Sequence, residues 1–331
     1  MTAGIDVMAR LDRAHQSVMR ATPPEFLDLT DIPATRRRFD DALAKMPKPP
    51  RPADLLITDH TAPGLGHGAA GDVMVRVYCP SDLKTPAPVL YWVHGGGMVL
   101  GSVTQDDDYC IGLAERLQIL VAAIEYRLAP EFPFPTPVED CYSGLHWLHA
   151  NASSLGVDPA RIAIGGASAG GGLAAGLGLL TRDRGEVPLC FQFLVYPMLD
   201  DRNTTGASHA ILDSRLWNRT ANELGWAAYL AGQAGAADVS PYAAPARATD
   251  LSGLPPTYLN VGDLDLFVDE DVEYAARLRA AGVPCELHVY PGAFHGSNNS
   301  VSRSALSRRW KEDERAALTR ALHGREPEMV S

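Results

Sequence analysis

Ser168 sits in Gly166-Ala167-Ser168-Ala169-Gly170, a G-x-S-x-G pattern. A serine hydroxyl is a poor nucleophile at neutral pH. It needs a base within hydrogen-bond reach, and the base needs an acceptor that orients it. Candidates for both partners follow Ser168 in the chain. Asp263, Asp265 and Asp269 lie in or just after Gly262-Asp263-Leu264-Asp265-Leu266-Phe267, and His295 lies in Pro291-Gly292-Ala293-Phe294-His295-Gly296. Serine, then acid, then histidine is the order of a strand–turn–helix nucleophile. Of the ten histidines, His295 alone combines a loop after a strand with a position beyond the acid candidates; His288 falls inside the strand itself. Asp265 is favoured as the acid, and Asp263 is read as shaping the loop. Asp269 and Glu270 open the next helix, where carboxylates suit the positive N-terminal end.

Nucleophilic attack on a carbonyl builds charge on oxygen, so donors are needed where that charge develops. His94-Gly95-Gly96-Gly97, followed by Met98, comes directly after an apolar strand. Glycines there allow two backbone N–H groups to face an alkoxide with no side chain in the way, and Ala169, directly after the serine, supplies a third. Losing one such donor typically costs roughly 2.7–4 kcal/mol of transition-state stabilisation. His94 is read as a loop organiser. His146 and His149 share a helix face, but no carboxylate or thiol cluster completes a metal site beside them, so neither metal nor cofactor is expected.

These residues need elements to hold them. Arg161 to Ile164 reads as a buried strand and Gly171 to Leu180 as a buried helix, so Ser168 falls on the sharp turn between them. Further strands are expected at Leu55–Thr58, Val73–Tyr78, Val89–Val93, Ile119–Ile124, Leu189–Val195, Thr257–Val261 and Glu286–Tyr290. Valines 73, 75 and 77 alternate with Met74, Arg76 and Tyr78, which suits a half-buried antiparallel edge. Helices are expected at Val138–Ala150, Asp271–Ala281 and Ala305–Leu322, with a helical interruption from about Ser208 to Gly232. Residues 1 to about 50 read as two short helices, the second carrying Phe39, Leu43 and Met46. Alternation of buried strands with helices argues a mostly parallel sheet covered on both faces.

The chain has 331 residues, 46% of them apolar, and a net charge of −11. That is enough for one large α/β domain with an insertion or for two smaller domains. The negative charge argues against nucleic acid as a partner. No segment approaches the ~18 unbroken apolar residues of a membrane span, so no membrane insertion is expected. The start of the chain carries charge early and lacks the apolar stretch of a signal peptide. The five cysteines are scattered and odd in number. They read as reduced thiols of a cytoplasmic protein.

Taken jointly, further motifs identify a family. They are H-G-G-G at His94, Y-R-L-A-P-E from Tyr126 to Glu131, F-P-F-P from Phe132 to Pro135, and E-D at Glu139-Asp140. The turn at Ser168 is followed by Y-P at Tyr196-Pro197, S-P at Ser240-Pro241 and L-P-P-T-Y from Leu254 to Tyr258. D-L-F-V-D-E from Asp265 to Glu270 and Y-P-G-A-F-H-G from Tyr290 to Gly296 close the set. The chain resembles the bacterial hormone-sensitive lipase-like esterases, a branch of the α/β-hydrolase fold. The resemblance implies a central sheet of about eight strands, Ser168 as nucleophile, Asp265 as acid, His295 as base, and Gly96, Gly97 and Ala169 as oxyanion donors. It also implies a cap from residues 1–50 and 200–235, flanking core segments 51–199 and 236–331, with Met98, Leu212, Leu216 and Trp217 as candidates for an acyl pocket. A homodimer through an edge strand is a further family expectation.

The chain departs from the family at Ala167, where aspartate is common, at Leu266-Phe267-Val268, and at Ser297, where an aromatic residue often follows the histidine. None of these removes a triad member; Ala167 does remove a carboxylate near the serine. The expectation is a hydrolase of short to medium acyl esters that takes a small-molecule substrate. The alternatives are an amidase, arylester or lactone deacylase on the same triad, and a hydrolase-fold binding protein without catalysis.

Overall fold

The computed structural model describes residues 5–24, 26–45, 51–66 and 71–324. Met46, the Pro49-Pro50 pair and residues 67–70 of the glycine-rich turn lie outside them.

The strands are β1 (Leu55–Ala62), β2 (Val73–Pro80), β3 (Ala87–Val93), β4 (Leu120–Glu125), β5 (Val157–Ala167), β6 (Phe191–Val195), β7 (Thr257–Gly262) and β8 (Cys285–Tyr290). They form one eight-stranded sheet in the order β1-β2-β4-β3-β5-β6-β7-β8. The β1/β2 and β2/β4 ladders are antiparallel, and every later pair is parallel. The expectation that Val73–Tyr78 forms an edge is corrected: β1 takes the edge and β2 sits one strand in. Tyr78 is buried beside Val75 and Val77 because both faces of β2 are covered there.

The helices are α1 (Val7–Arg10), α2 (Arg13–Ala21), α3 (Ile32–Lys45), α4 (Asp107–Leu117), α5 (Thr136–Ala150), α6 (Ala152–Leu155), α7 (Ala169–Arg184), α8 (Gly206–Ala210), α9 (Arg219–Tyr229), α10 (Val268–Ala280), α11 (Ser297–Ser300) and α12 (Ala305–His323). Among the described residues three α-helices, not two, precede β1. Asp12 interrupts the first expected helix by capping α2, its carboxylate accepting from the Ala14 N–H at 2.9 Å. Pro33 falls in the first turn of α3, where a missing N–H leaves no bond unmade. The expected interruption from 208 to 232 is two helices, and Asn218 caps α9 by accepting from Ala221.

Side chains of the central strands alternate between two buried clusters. Tyr91 and Val93 join the layer with Leu145 of α5 and Leu173 and Leu177 of α7. Leu90 and Trp92 join Leu113 of α4 and Trp310 and Leu318 of α12. All seven residues of β3 are buried, as expected for a parallel strand covered on both faces.

Candidate active site

The ladders bring the chemistry to one end of the sheet. Val93 pairs with Gly166, Ala167 with Val195, Val195 with Asn260, and Gly262 with Tyr290. The loops after β3, β5, β7 and β8 therefore leave the sheet side by side at its carboxyl edge, where open α/β sheets carry their sites. Those loops hold His94–Gly97, Ser168, Asp265 and His295.

Ser168 occupies the turn between β5 and α7 at φ 58° and ψ −124°. A positive φ in a residue with a side chain costs on the order of 1–3 kcal/mol and persists only where its surroundings enforce it. Here the Ser168 N–H donates to the Val195 carbonyl at 2.9 Å, and its own carbonyl accepts from Met198 and Gly172 at 3.0 Å each. Strand and helix approach so closely that a Cβ at Gly170 would collide with the Val93 and His94 carbonyls, and one at Gly166 with the Gly170 carbonyl. Ala169 opens α7, and the first N–H groups of a helix have no acceptor within it.

The loops after β7 and β8 are stitched together. The N–H groups of Asp263 and Leu264 donate to the carbonyls of Tyr290 and Ala293, both at 3.0 Å. Asp263 accepts from the Gly292 N–H at 2.6 Å and from Arg10 at 2.9 Å, the loop-shaping part expected of it. Asp269 instead accepts from the Ala207 N–H, tying α10 to α8. Asp265 alone of the three reaches His295.

The His295 Nε2 lies 2.9 Å from the Ser168 Oγ, and its Nδ1 lies 2.7 Å from Asp265 Oδ2. The other Asp265 oxygen accepts from the Phe267 N–H at 3.0 Å. The imidazole is held edge-on by Tyr196, ring centroids 4.8 Å apart, and by Phe267 at 5.2 Å. Asp265 is 1% exposed, so the acid end of the relay is shut off from bulk water, while Ser168 and His295 keep some exposure. Such an arrangement can move a proton from a hydroxyl to an imidazole whose positive charge a buried carboxylate then balances.

Gly96 and Gly97 adopt φ 121° and 63°, and Met98 follows at φ 60°. The Gly96 carbonyl accepts from Val99 at 3.1 Å and Leu100 at 2.8 Å. His94 is fully buried and stacks on Tyr126 at 4.2 Å, with its Nδ1 2.8 Å from the Gly95 carbonyl. Burial pushes its pKa down to about 4. His94 is therefore neutral at ordinary pH and braces the loop.

Of the four acyl-pocket candidates, Trp217 reaches the glycine loop, its six-membered ring lying against Gly97 and Gly225. Its indole N–H donates to Asn222 at 3.0 Å, and the Asn222 amide donates to Asn203 at 3.1 Å. Met98 and Leu216 are buried. Leu212 is 56% exposed. It lines a cavity of about 370 Å³ with Leu27, Leu29, Ala221 and Leu224, a lining that does not include Ser168. Sequence reasoning missed three groups: Tyr196 and Glu270 beside the site, and Arg36, whose Nε donates to the Val99 carbonyl at 2.7 Å. Burial holds the Glu270 carboxyl well above its ordinary range, and it accepts from the Leu199 and Asp200 N–H groups. Its place in D-L-F-V-D-E was the available signal; Arg36 had none. Among the described residues no group of three His, Cys, Asp or Glu is placed to hold a metal ion.

Fold and site together define a hydrolase, and comparison with known proteins agrees. The family model described as alpha/beta hydrolase fold matches residues 90–298. The chain belongs to that family, in its hormone-sensitive lipase-like branch of carboxylesterases. It is 37% identical to Carboxylesterase NlhH of Mycobacterium tuberculosis over 82% of this chain and 84% of that protein. It is 34% identical to Esterase LipI of the same species, over 88% and 89%. Among solved structures, Bacterial Heroin Esterase superposes with a TM-score of 0.89 at 44% identity, covering 95% of this chain and 99% of that one. The chain is a carboxylic ester hydrolase acting on small-molecule esters. No helix among the described residues is long and apolar enough to cross a membrane.

Proposed function

We propose that this hydrolase cleaves short to medium acyl esters through an acyl-enzyme on Ser168. His295 takes the Ser168 proton as Oγ attacks the ester carbonyl. Asp265 orients the imidazole and balances its charge. The N–H groups of Gly96, Gly97 and Ala169 hold the oxyanion. His295 then protonates the leaving alcohol, and water releases the acid by the same steps in reverse roles. The observation that carries this reading is the continuous relay from Ser168 Oγ through His295 to Asp265, at 2.9 and 2.7 Å.

Residues 1–50 and 200–235 form the cap in this reading. In its favour, the Ile5 N–H donates to the Ala210 carbonyl, and Arg215 donates to the Met19 carbonyl. Trp217 then bounds the acyl side of the site. A reducing compartment, the cytoplasm, suits five cysteines that all stay unpaired. Self-association would use the outer edge of β8, where Val289 is 40% exposed; sedimentation of wild type beside Val289→Lys tests it.

The experiment is active-site labelling. A p-nitrophenyl phosphonate should modify one residue, Ser168, with loss of activity in proportion. Label on any other residue, or activity surviving full labelling, would overturn the assignment. Heroin, named for the neighbour at 44% identity, belongs in the substrate panel as an ester of a large alcohol.

A further inference from the structure

The glycine loop closes on itself at the Gly96 carbonyl, which accepts from Val99 and Leu100. Gly96, Gly97, Met98 and Gly101 all have positive φ, and glycine gives up more conformational freedom on ordering than any other residue. Preorganised donors are useful only if they do not have to reorganise during reaction. Contacts from outside the loop add to this closure.

Arg36 reaches it from α3. Its Nε donates to the Val99 carbonyl at 2.7 Å, and its Nη2 to the Ala129 carbonyl at 2.7 Å. Nη1 and Nη2 also meet the two Glu131 oxygens, both at 2.8 Å. One planar guanidinium thus joins the turn after Gly97 to Ala129 and Glu131 of the Y-R-L-A-P-E segment. The Ala129 N–H closes the circuit by donating to the Met98 carbonyl at 2.9 Å. Arginine suits this task because its donors form a rigid fork; a lysine ammonium cannot span the same acceptors. The base of the fork is itself anchored. The neighbouring Thr35 is buried, donates to the Asp31 carbonyl at 3.0 Å and accepts from Arg38 at 2.7 Å.

We infer that Arg36 is a positioning residue for the oxyanion site, through which α3 sets the geometry of the Gly96–Gly97 donors. This rests on the reading in which those donors hold the oxyanion. The two carbonyl bonds carry the effect. The Glu131 contact carries little, because that carboxylate is half exposed, at 51%, and exposed ion pairs contribute weakly.

Three variants test it: Arg36→Ala, Arg36→Lys and Glu131→Gln, each assayed with p-nitrophenyl butyrate and titrated with a trifluoromethyl ketone that forms a hemiketal oxyanion. Losing an interaction expressed in the transition state lowers kcat and kcat/KM together, so Arg36→Ala should lose about ten-fold or more in kcat with KM nearly unchanged. Affinity for the ketone should fall by a similar factor. Arg36→Lys should lose most of the same activity while keeping the charge, and it carries the test if the alanine variant does not fold. Added guanidinium at sub-denaturing concentration should restore part of the Arg36→Ala rate. Glu131→Gln should stay within about two-fold of wild type.

Full kcat in Arg36→Lys, or unchanged ketone affinity in a folded Arg36→Ala, would overturn the inference. So would an equal loss in Glu131→Gln, which would assign the effect to the ion pair. Ser168→Ala, run alongside, separates the two failures. If it is inert while the Arg36 variants are fully active, only the clamp falls; if it keeps its rate, the catalytic reading falls first.

Discussion

The ring of Trp217 lies against Gly97, where any β-carbon would collide with it. The contact joins the loop after β3 to the start of α9, and the Trp217–Asn222–Asn203 relay keeps the indole from swinging away. Gly97 is thus constrained twice, by its φ of 63° and by the ring.

Gly97→Ala should keep the fold and lose activity. The strained φ and the collision both displace the loop that the proposal makes an oxyanion donor. A loss of about 10²-fold in kcat is expected, the scale of one missing oxyanion donor. Melting and ester hydrolysis measured on the same sample check it. An active variant would place the donors elsewhere.

Trp217→Ala should move the acyl preference toward longer chains. The cavity of about 370 Å³ bordered by Leu212, Ala221 and Leu224 flanks the same helix, α9. Removing the indole leaves space beside Gly97 and Gly225 for extra methylenes. The ratio of kcat/KM for octanoate to that for butyrate should rise by about ten-fold or more, the range that one or two methylenes contribute in an apolar pocket. An unchanged ratio would mean that the acyl chain lies elsewhere.

Gly170→Ala should act on stability. Its β-carbon would meet the backbone carbonyls of Val93 and His94, which cannot rotate away as a side chain would. A destabilisation of about 3 kcal/mol is expected, at the upper end for overpacking. Thermal unfolding measures it, and a wild-type midpoint would show that β5 and α7 can separate freely.

Stability should also depend on Glu314. This carboxyl is fully buried on α12, where it accepts from Asn260 at 3.1 Å and Tyr109 at 3.2 Å. Burial pushes its pKa from 4.5 up to about 7, against a smaller opposing pull from the Asn260 and Tyr109 hydrogen bonds and from Lys311. The folded chain keeps a proton that the unfolded chain releases, so stability falls as pH rises from 4.5 to about 7. The fall amounts to about 3 kcal/mol in all. Glu314→Gln should flatten Tm between pH 4.5 and about 7, and an unchanged slope would show that Glu314 ionises freely in the fold.

The strand–turn–helix at Ser168 was legible because its signal is local. An isoleucine-rich strand, a serine between glycines and a small-residue helix all fall within Arg161 to Leu180. His295 was legible from chain order and from the strand before it. Asp265 was favoured over Asp263 from the sequence and the family motif, although both follow β7; the contacts of Asp263 to Gly292 and Arg10 had no local mark. The inward position of β2 depended on β1 covering it, which a valine alternation cannot report. The clamp by Arg36 spans 63 residues to Val99 and 93 to Ala129. In the sequence it is one arginine of three in a row, with no local mark. Leu212 was singled out because it is apolar; that it lines a cavity away from Ser168 depends on how the segment between α8 and α9 is turned.

The central claim is that Ser168 and His295 perform the chemistry. The direct measurement is hydrolysis of p-nitrophenyl esters from acetate to laurate by wild type, Ser168→Ala and His295→Ala. Wild type is expected to peak at short to medium chains. Both variants are expected to lose about 10⁶-fold in kcat, the scale seen when a triad member that acts as part of a unit is removed. A Ser168→Ala protein that kept its rate while folded, or a wild type inert on every chain length, would contradict it.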